Sequence, residues 1–437
     1  MHRCCFIPSI TLETRAELPG RVASLVRDGE DEQNTRETVG AILASVRREG
    51  YPAVRTCSER FDGLGFSPEL LAVRPDALQG ALARLRREDP ELVRALEAMV
   101  GGVRAFAEAQ RAALADVSLE LAGGGTVGER WVSLQRVGVY IPGGRAFYPS
   151  TLAMTVIPAQ VAGVGRIIGV TPPRPEGPDP LVLATAALLG LEELLQVGGA
   201  QAVAWLAFGE PQVDLIAGPG NRFVAEAKRQ LAGTCGIDAV AGPTELLVLA
   251  DGTARPDQVA EDLLAQAEHD PDAAAVVISD SEGLLAAVAR ELEARVAASP
   301  RRAILEASLT RHGRMIRADR DLAIAFAQTW APEHLELVVA DPEAWLPRLT
   351  TAGAVFVGSA SAEAFGDYGL GPNHVLPTAR TARFTGPLGV ATYLKRQSLL
   401  RLAPADAAAA APWVARLAEA EGLVHHAASA RLRAHHA

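Results

Sequence analysis

Short apolar runs that alternate with helical segments constrain the fold of this chain more than any other feature. From Val137 onward, each run has the length of a β-strand, ends at Gly or Pro, and is followed by a segment with helical periodicity. The runs read VGVYIPGG, RIIGVTPP, LLQVGGAQ, VDLIAGPGN and ELLVLAD. Because parallel strands need crossover connections, which are usually helices, this alternation predicts a parallel sheet.

A second alternating series follows the first along the chain. It comprises the predicted helices RPDQVAEDLLAQAEHD and SEGLLAAVARELEARV and the predicted strands AAVVISD, HLELVV and GAVFVG. Residues 1 to about 135, and those after about 388, instead repeat apolar residues at helical spacing. We therefore expect two α/β units with mostly helical terminal segments.

Length and composition are those of a globular protein with more than one domain. The chain has 437 residues, more than one typical core accommodates, of which 49% are hydrophobic and 22% charged. The formal net charge of -10 and the short, mixed runs of basic residues argue against a nucleic-acid-binding surface. No stretch approaches the roughly 18 uninterrupted apolar residues of a membrane span, and the N-terminus lacks the apolar core of a signal peptide. We expect a cytoplasmic protein that does not interact with membranes.

The cysteines give little support to sulfur chemistry. The four cysteines, Cys4, Cys5, Cys57 and Cys235, show no CxxC spacing. In a chain of this size we expect buried or incidental thiols and not disulfides or metal ligands. A bound metal ion would therefore need nitrogen and oxygen ligands.

The end of the predicted helix in LLAQAEHDPDA is rich in ligand-type side chains. Gln266 and His269 are three residues apart, so on a helix they share one face and can reach the same ion. For an isolated QxxH, polar residues beside the last carbonyls of an ordinary helix are the simpler explanation. Metal binding here needs further ligands from elsewhere in the chain.

Two groups able to transfer protons are adjacent in WAPEHLEL. Glu333 and His334 stand at the entrance of a predicted strand, where both can border one cleft and move protons near neutral pH. A surface pair in a capped loop is the simpler interpretation of this motif by itself.

Further candidate ligands occur in two later segments. The loop FGDYGLGPNHVLP holds Asp367 and His374, and a carboxylate in such a loop is either a turn former or a ligand. Near the C-terminus, Glu421, His425 and His426 lie within little more than one helical turn, although exposed tail polarity would also explain them. Together with the QxxH motif, these are nitrogen and oxygen donors suited to Zn²⁺, Mn²⁺ or Co²⁺.

Three polar side chains follow the ends of predicted strands. Tyr140, Gln201 and Asn221 lie where the next helix begins, and ligands of open parallel sheets bind at this edge. Tight turns explain the nearby glycines, and the dinucleotide fingerprint GxGxxG is absent. Spacing alone therefore indicates a Rossmann-like domain without assigning a nucleotide.

A set of segments, in order and spacing, resembles the histidinol dehydrogenase family from about residue 35 to 430. The segments are YIPGGRAFYPST, VGGAQAVAWLAFG, AGPGNRFVAEAKRQ, GIDAVAGPTELLVLAD, DLLAQAEHDPDA, APEHLEL, GDYGLGPNHVLPT and LAEAEGLVHH. The resemblance implies a zinc- and NAD-dependent enzyme that completes histidine biosynthesis. Such an enzyme oxidises L-histidinol through L-histidinal to L-histidine, using two NAD+ in succession.

The resemblance also implies a role for each candidate residue. His334 would be the general base for the alcohol proton, and Glu333 would activate water in the second oxidation. The implied ligands of one zinc ion per subunit are Gln266, His269, Asp367 and His426, the last because it keeps the family's spacing from Glu421 whereas His425 is one residue short. The implied NAD contacts are Tyr140, Gln201 and Asn221. The implied substrate contacts are Thr244, His374 and Glu421, together with His334 and the zinc ligands.

The family fold implies two incomplete Rossmann-like domains with parallel sheets, plus small helical N- and C-terminal segments. The implied division is an N-terminal segment at 1–29, a discontinuous first domain at 30–139 and 244–388, an NAD-binding domain at 140–243, and a C-terminal segment at 389–437. The C-terminal segment is expected to exchange within a homodimer. Glu421 and His426 of each chain would then complete the other chain's site, and activity would require the dimer.

Two features depart from the family pattern, and other functions stay open. Thr244 stands where some members have Ser, and the chain between Gln201 and Asn221 is about three residues shorter than in some members, which a surface loop can absorb. Whether Arg145 contacts NAD phosphates is also open.

Three alternative functions are compatible with the sequence. They are a paralogous zinc- and NAD-dependent dehydrogenase of another small alcohol, a metal-dependent hydrolase that uses Glu333 to activate water, and a non-catalytic binding protein.

Overall fold

The computed structural model describes most of the chain. The described residues are 6–23, 25, 32–65, 67, 71–143, 148–210 and 212–434. Arg145, Cys4 and Cys5 lie outside them. Cys57 and Cys235 are free thiols, and burial raises the pKa of Cys235 to about 11.

Helices and strands alternate along most of the described chain. The strands are β1 (Ser9–Thr11), β2 (Val117–Glu120), β3 (Thr126–Ser133), β4 (Arg136–Tyr140), β5 (Arg166–Thr171), β6 (Glu193–Gln196), β7 (Leu215–Ala217), β8 (Gly236–Ile237), β9 (Glu245–Ala250), β10 (Ala274–Ser279), β11 (Arg314–Arg317), β12 (His334–Val338), β13 (Ala354–Val357) and β14 (Leu394–Arg401). The α-helices are α1 (Leu18–Ala23), α2 (Glu32–Glu49), α3 (Tyr51–Phe61), α4 (Pro75–Glu88), α5 (Pro90–Ala113), α6 (Pro149–Val161), α7 (Pro180–Leu189), α8 (Gly199–Phe208), α9 (Arg222–Leu231), α10 (Pro256–Ala267), α11 (Glu282–Ala298), α12 (Arg302–His312), α13 (Arg320–Trp330), α14 (Glu363–Asp367), α15 (Pro404–Ala420) and α16 (Val424–Ala434). Within the described ranges, none of these helices combines the length and the apolar character needed to span a bilayer.

A six-stranded sheet in the order β1-β11-β10-β9-β12-β13 is parallel throughout. Every residue of the central strands β9 and β10 is buried, because helices cover both faces of the sheet. Helices α10, α11 and α12 pack on one face, and α1 and α13 pack on the other. This sheet confirms the second α/β unit expected from the sequence.

The first α/β unit forms a five-stranded parallel sheet in the order β6-β5-β4-β7-β8. The chain runs outward from β4 through β5 to β6, and then crosses to the other side of β4 to form β7 and β8. The strand order therefore reverses between β4 and β7. In sheets of this kind, the crevice at the carboxyl ends of the two strands beside the reversal is the usual ligand site.

The helices at residues 32–113 pack beside the five-stranded sheet. Helix α2 contacts α8 and α9, α4 contacts α7, and α5 contacts α6. These contacts favour a domain that groups residues 32–113 with 136–237, whereas the division implied by the family grouped 30–139 with 244–388. The division into domains stays a prediction.

An antiparallel three-stranded sheet in the order β14-β3-β2 was not expected from the sequence. Its longer pairing runs from Leu394 opposite Ser133 to Arg401 opposite Thr126. The mostly helical terminal segments therefore also contain the strands β2, β3 and β14. Strands so distant in sequence carry no local signal of their pairing, and β14 is exposed at all but one residue.

The last two helices form a hairpin. Helices α15 and α16 pack on each other through alanines such as Ala418 and Ala427. The Asp406 carboxylate anchors the start of α15, because it accepts backbone N–H bonds from Gly123 at 2.6 Å and Gly125 at 2.7 Å. The exposed large apolar side chains of the hairpin are Trp413, Leu417, Leu423, Val424 and Leu432.

Candidate active site

The six-stranded sheet gathers polar side chains at the amino ends of two neighbouring strands. Thr244 precedes β9, Glu333 precedes β12, and His334 is the first residue of β12. The two strands pair in parallel, with His334 opposite Leu246. Ligands of open parallel sheets usually bind at the carboxyl edge, so this cluster lies at the opposite edge from the one that the general rule predicts.

Gln266 lies in the last turn of α10 and is fully buried. Its side-chain Nε2 donates hydrogen bonds to Thr244 Oγ1 at 3.1 Å and to the Ala274 carbonyl oxygen at 3.3 Å. These two bonds orient the amide. They leave Oε1, which is 3.4 Å from the Thr244 hydroxyl, as the atom that can coordinate an ion.

Asp367, the last residue of α14, lies between two histidines. Its Oδ2 is 4.0 Å from His269 Nε2, and its Oδ1 is 3.9 Å from His374 Nδ1. Both separations are too long for hydrogen bonds. Two atoms bound to one zinc ion at about 2.0–2.1 Å lie roughly 3.3 Å apart, so the gap between Asp367 and His269 is close to what a shared ion requires.

His374 links this cluster to the other parallel sheet. Its Nδ1 donates to the Asp367 carbonyl oxygen at 3.0 Å, and its Nε2 lies 3.2 Å from Thr151 Oγ1 on α6. Burial lowers the pKa of His374, partly opposed by the Asp367 carboxylate. The adjacent Asn373 donates to the Met154 carbonyl oxygen of the same helix at 2.7 Å. Helix α6 is the helix that follows β4 along the chain.

His334 is a buried base with a defined tautomer. Its Nδ1 donates to the Glu245 carbonyl oxygen at 3.2 Å, so the lone pair of the neutral ring is on Nε2. Nε2 is buried and has no hydrogen-bond partner in the part of the chain that the structure describes. Burial lowers the pKa of His334 to about 4, partly opposed by the Asp367 carboxylate. At neutral pH the ring is therefore neutral and can accept a proton at Nε2.

Glu333 lies beside His334 with an anchored carboxyl group. Its Oε2 accepts hydrogen bonds from Thr244 Oγ1 at 2.7 Å and from the Glu245 backbone N–H at 3.0 Å, and lies 3.7 Å from His334 Nδ1. Burial raises the pKa of Glu333 to about 8, against the lowering effect of the Thr244 hydroxyl. At pH 7 the carboxyl group is therefore mostly protonated, and it becomes a base only when it ionises.

Two further buried carboxyl groups, those of Glu363 and Glu336, and the half-buried carboxyl group of Asp262 were missed by sequence reasoning. Glu363 Oε1 lies 3.5 Å from His334 Nδ1, and neither oxygen of Glu363 has a hydrogen-bond partner among the described residues. Glu336 Oε1 accepts the backbone N–H of Glu363 at 2.7 Å. Burial is the main cause of a raised pKa in all three groups. The pKa of Glu363 is well above its usual value, the pKa of Glu336 is about 8, and the pKa of Asp262 is about 6. Of the three, only Glu336 had a signal in the sequence, because it is a glutamate inside the apolar strand HLELVV.

A second possible donor set overlaps the predicted one. His334, Glu363 and Asp367 each offer a ligand atom, and these atoms lie within 4.8 Å of one another. The two sets share Asp367 and therefore describe the same region of the molecule.

The candidate cofactor residues lie at the carboxyl edge of the five-stranded sheet. The buried Tyr140 hydroxyl accepts the Gly199 backbone N–H at 3.0 Å, and burial raises the pKa of Tyr140 to about 12. Gln201 is also buried, and its Nε2 donates to Asp62 Oδ2 at 3.3 Å. Asn221 caps α9 by accepting two backbone N–H bonds of the first turn, at 3.0 and 3.2 Å. Each of the three thus also has a local structural role.

Glu421 and His426 lie on the exposed surface of the C-terminal hairpin. Within the described residues of one chain, neither forms a hydrogen bond or an ion pair with Gln266, His269 or Asp367. Of the four candidate metal ligands, His269 and Asp367 thus lie near each other in one chain, whereas His426 is exposed on the hairpin.

Fold and site together define a class of protein. One parallel sheet has the strand reversal of a Rossmann-like ligand site, and the other carries a buried base, buried carboxyl groups and metal-type donors. This combination fits an α/β oxidoreductase.

Comparison with known proteins identifies the family. The sequence model of histidinol dehydrogenase matches residues 25–434. The chain is 45% identical over 418 residues to the histidinol dehydrogenase of Aromatoleum aromaticum, covering 94% of each chain, and 44% identical over 410 residues to that of Prochlorococcus marinus, covering 93% of this chain and 91% of that one. The crystal structure of histidinol dehydrogenase from Elizabethkingia anophelis superposes with a TM-score of 0.90 at 31% identity, covering 99% of both chains. The chain therefore belongs to the histidinol dehydrogenase family of NAD-dependent oxidoreductases, which confirms the resemblance seen in its motifs.

Proposed function

We propose that this protein oxidises L-histidinol through L-histidinal to L-histidine, with two NAD+ used in succession, as the last step of histidine biosynthesis. The observation that carries the proposal is the buried Nε2 of His334, which has a lone pair and no hydrogen-bond partner within the described residues. Oxidation of an alcohol to an acid needs a base for the hydroxyl proton and a second group that activates water for the aldehyde. His334 and Glu333 fit these two tasks.

The proton transfers follow from the contacts of the two residues. His334 accepts the alcohol proton at Nε2, because Nδ1 is engaged with the Glu245 carbonyl oxygen. Glu333 acts as a base in its ionised form, which is the minor form at pH 7 because burial raises its pKa to about 8. The carboxylate then takes a proton from the water that attacks the aldehyde, while Thr244 and the Glu245 N–H hold Oε2 in place. NAD+ supplies the hydride acceptor of both oxidations.

The donor chemistry of the site fits zinc. The buried Gln266 Oε1 and the side chains of His269 and Asp367 are oxygen and nitrogen donors of the kind that zinc accepts, and His426 would be the fourth. A bound zinc ion would supply a Lewis-acidic anchor for the nitrogen atoms of the substrate. In the proposal, Thr244, His374 and Glu421 contact the same substrate.

The location of the cofactor residues supports their assignment. Tyr140 is the last residue of β4, and Asn221 follows β7. These are the two strands beside the strand reversal, and Gln201 is in the first turn of α8. Asn221 is exposed at the start of α9, where the helix dipole favours a phosphate. We therefore assign Tyr140, Gln201 and Asn221 to NAD+ binding.

A homodimer would complete the site. Glu421 and His426 are exposed, and the same hairpin exposes 60% of Trp413, 57% of Leu417 and 65% of Val424. Large apolar side chains exposed together on one hairpin favour an interaction surface. In the proposal, residues 389–437 pack on a second copy of the chain, and Glu421 and His426 complete the other copy's site.

Titration of the purified protein with L-histidinol and NAD+ tests the proposed function. We expect two NADH per histidinol, loss of turnover after chelation, and recovery when zinc is added back. Turnover of another alcohol without turnover of histidinol would instead support the paralogous dehydrogenase.

A further inference from the structure

A buried ion pair holds the peptide group that follows β7. Lys228 on α9 and Asp238, just after β8, form an ion pair whose side chains are 2% and 3% exposed. Lys228 Nζ donates to the Gly218 carbonyl oxygen at 3.0 Å, and Asp238 Oδ2 accepts the Gly218 N–H at 2.7 Å. Two opposite charges thus fix both backbone hydrogen-bonding groups of one residue.

Gly218 lies where the chain crosses the end of β4. Its φ of +107° is in the region that favours glycine, and a Cβ there would lie 2.3 Å from the Tyr140 carbonyl oxygen. The loop after β7 and the end of β4 therefore touch backbone to backbone. Asn221 caps α9 three residues later. This is the crevice where a sheet of this strand order binds its ligand.

Packing alone does not require charged side chains at positions 228 and 238. A buried ion pair must offset the cost of removing two charges from water, and apolar side chains of similar size often stabilise a fold as well or better. The other buried side chains of α9, such as Val224, Ala227 and Leu231, are apolar. What the pair adds is a pair of charge-assisted hydrogen bonds to Gly218, which are stronger and more directional than neutral ones.

We propose that Lys228 and Asp238 are positioning residues that preform the dinucleotide-binding loop. The inference rests on the proposed binding of NAD+ in this crevice. By fixing Gly218, the pair sets the path of the chain to Asn221 before the cofactor arrives, so that binding does not have to order the loop. Loss of the pair weakens dinucleotide affinity and leaves His334 and the metal donors, which lie beside the other parallel sheet, unchanged.

The test measures NADH affinity by fluorescence titration. Lys228→Met/Asp238→Leu removes both charges and both contacts to Gly218 without leaving an unpaired charge. The matched control, Glu226→Gln/Arg229→Met, removes a more exposed ion pair from the same helix. For the first variant we expect the NADH dissociation constant to rise about tenfold or more, with kcat at saturating NAD+ and zinc content unchanged. The control should bind NADH like the unaltered protein.

The outcomes separate this inference from the proposed function. A folded Lys228→Met/Asp238→Leu variant with unaltered NADH affinity overturns the positioning role alone, whereas an unaltered protein that binds no NADH overturns both. If the variant does not fold, hydrogen exchange of the unaltered protein tests whether the loop at Gly218 is ordered before NADH binds. We expect the peptide that contains Gly218 to be protected in the absence of NADH, and fast exchange that only NADH slows would overturn the proposal.

Discussion

Replacing Thr244 with Val removes the hydroxyl that orients Glu333 while keeping the volume of the side chain. In the structure this hydroxyl donates to Glu333 Oε2 at 2.7 Å and accepts from Gln266 Nε2 at 3.1 Å. The bond to Glu333 favours the ionised carboxylate, since it lowers a pKa that burial has raised to about 8. Its loss should therefore raise the pKa of Glu333 further.

The size of the effect follows from the strength of one hydrogen bond to a charged group. Such a bond contributes about 1.5–3 kcal/mol, and a difference of about 1.4 kcal/mol between the two protonation states corresponds to one pKa unit. A pKa near 8 leaves roughly a tenth of Glu333 ionised at pH 7, and one unit more leaves roughly a hundredth. Oxidation of the aldehyde should therefore slow about tenfold at pH 7, and its pH midpoint should rise by about one unit.

The assay starts from L-histidinal and follows NADH formation across a pH series. Activity rises with pH because the carboxylate is the active form, so the rate of the Thr244→Val variant should approach that of the unaltered protein at high pH. Thr244→Ser keeps the hydroxyl and serves as the control. A Thr244→Val variant with an unshifted pH midpoint would refute the reasoning, because the hydroxyl would then not set the ionisation of Glu333.

Other parts of the site give three further predictions. His334→Asn should lower kcat by about 10²–10⁴-fold without changing the zinc content measured by mass spectrometry; retained activity would contradict its role as the base. Mixtures of His334→Asn and His426→Asn chains should recover activity that neither variant has alone, since one site of each mixed dimer is intact, and a lack of recovery would count against shared sites. Burial raises the pKa of Glu336 from 4.5 to about 8, so the folded state holds a proton that the unfolded state loses, and stability falls as pH rises through this interval. Glu336→Gln should flatten that decline in thermal melts between about pH 5 and pH 8, and an unchanged slope would rule out Glu336 as its source.

The parallel sheets could be predicted because their signal is local. The strands ELLVLA and AAVVIS are buried along their whole length, and continuous apolar runs of this kind are typical of strands covered on both faces. The antiparallel sheet gives no such signal. Seven of the eight residues of β14 are exposed, and its partner β3 lies in a different part of the chain, so only the folded structure brings the two together.

The candidate site was predictable only where residue type and local spacing indicated chemistry. Gln266 and His269 share a helix end, and Glu333 and His334 are adjacent, so each pair can be found by reading a few residues. Glu363 could not be found in this way, because a glutamate is normally solvated and nothing in its neighbourhood indicates that it is buried. Its burial depends on packing beside His334, 3.5 Å away, which joins segments that are separated in sequence.

The site arises where the carboxyl edge of one parallel sheet meets the amino edge of the other. The carboxyl edge lies beside the strand reversal, which is where a dinucleotide is expected to bind. The amino edge carries Glu333 and His334 at the start of β12 and Thr244 before β9. Contacts of His374 and Asn373 with α6, the helix after β4, connect the two edges. In the proposed function, the hydride acceptor therefore binds at one sheet and the proton acceptors belong to the other. In that proposal, a second NAD+ would replace the first while His334, Glu333 and the candidate metal donors keep their places, so that one substrate position would serve both oxidations.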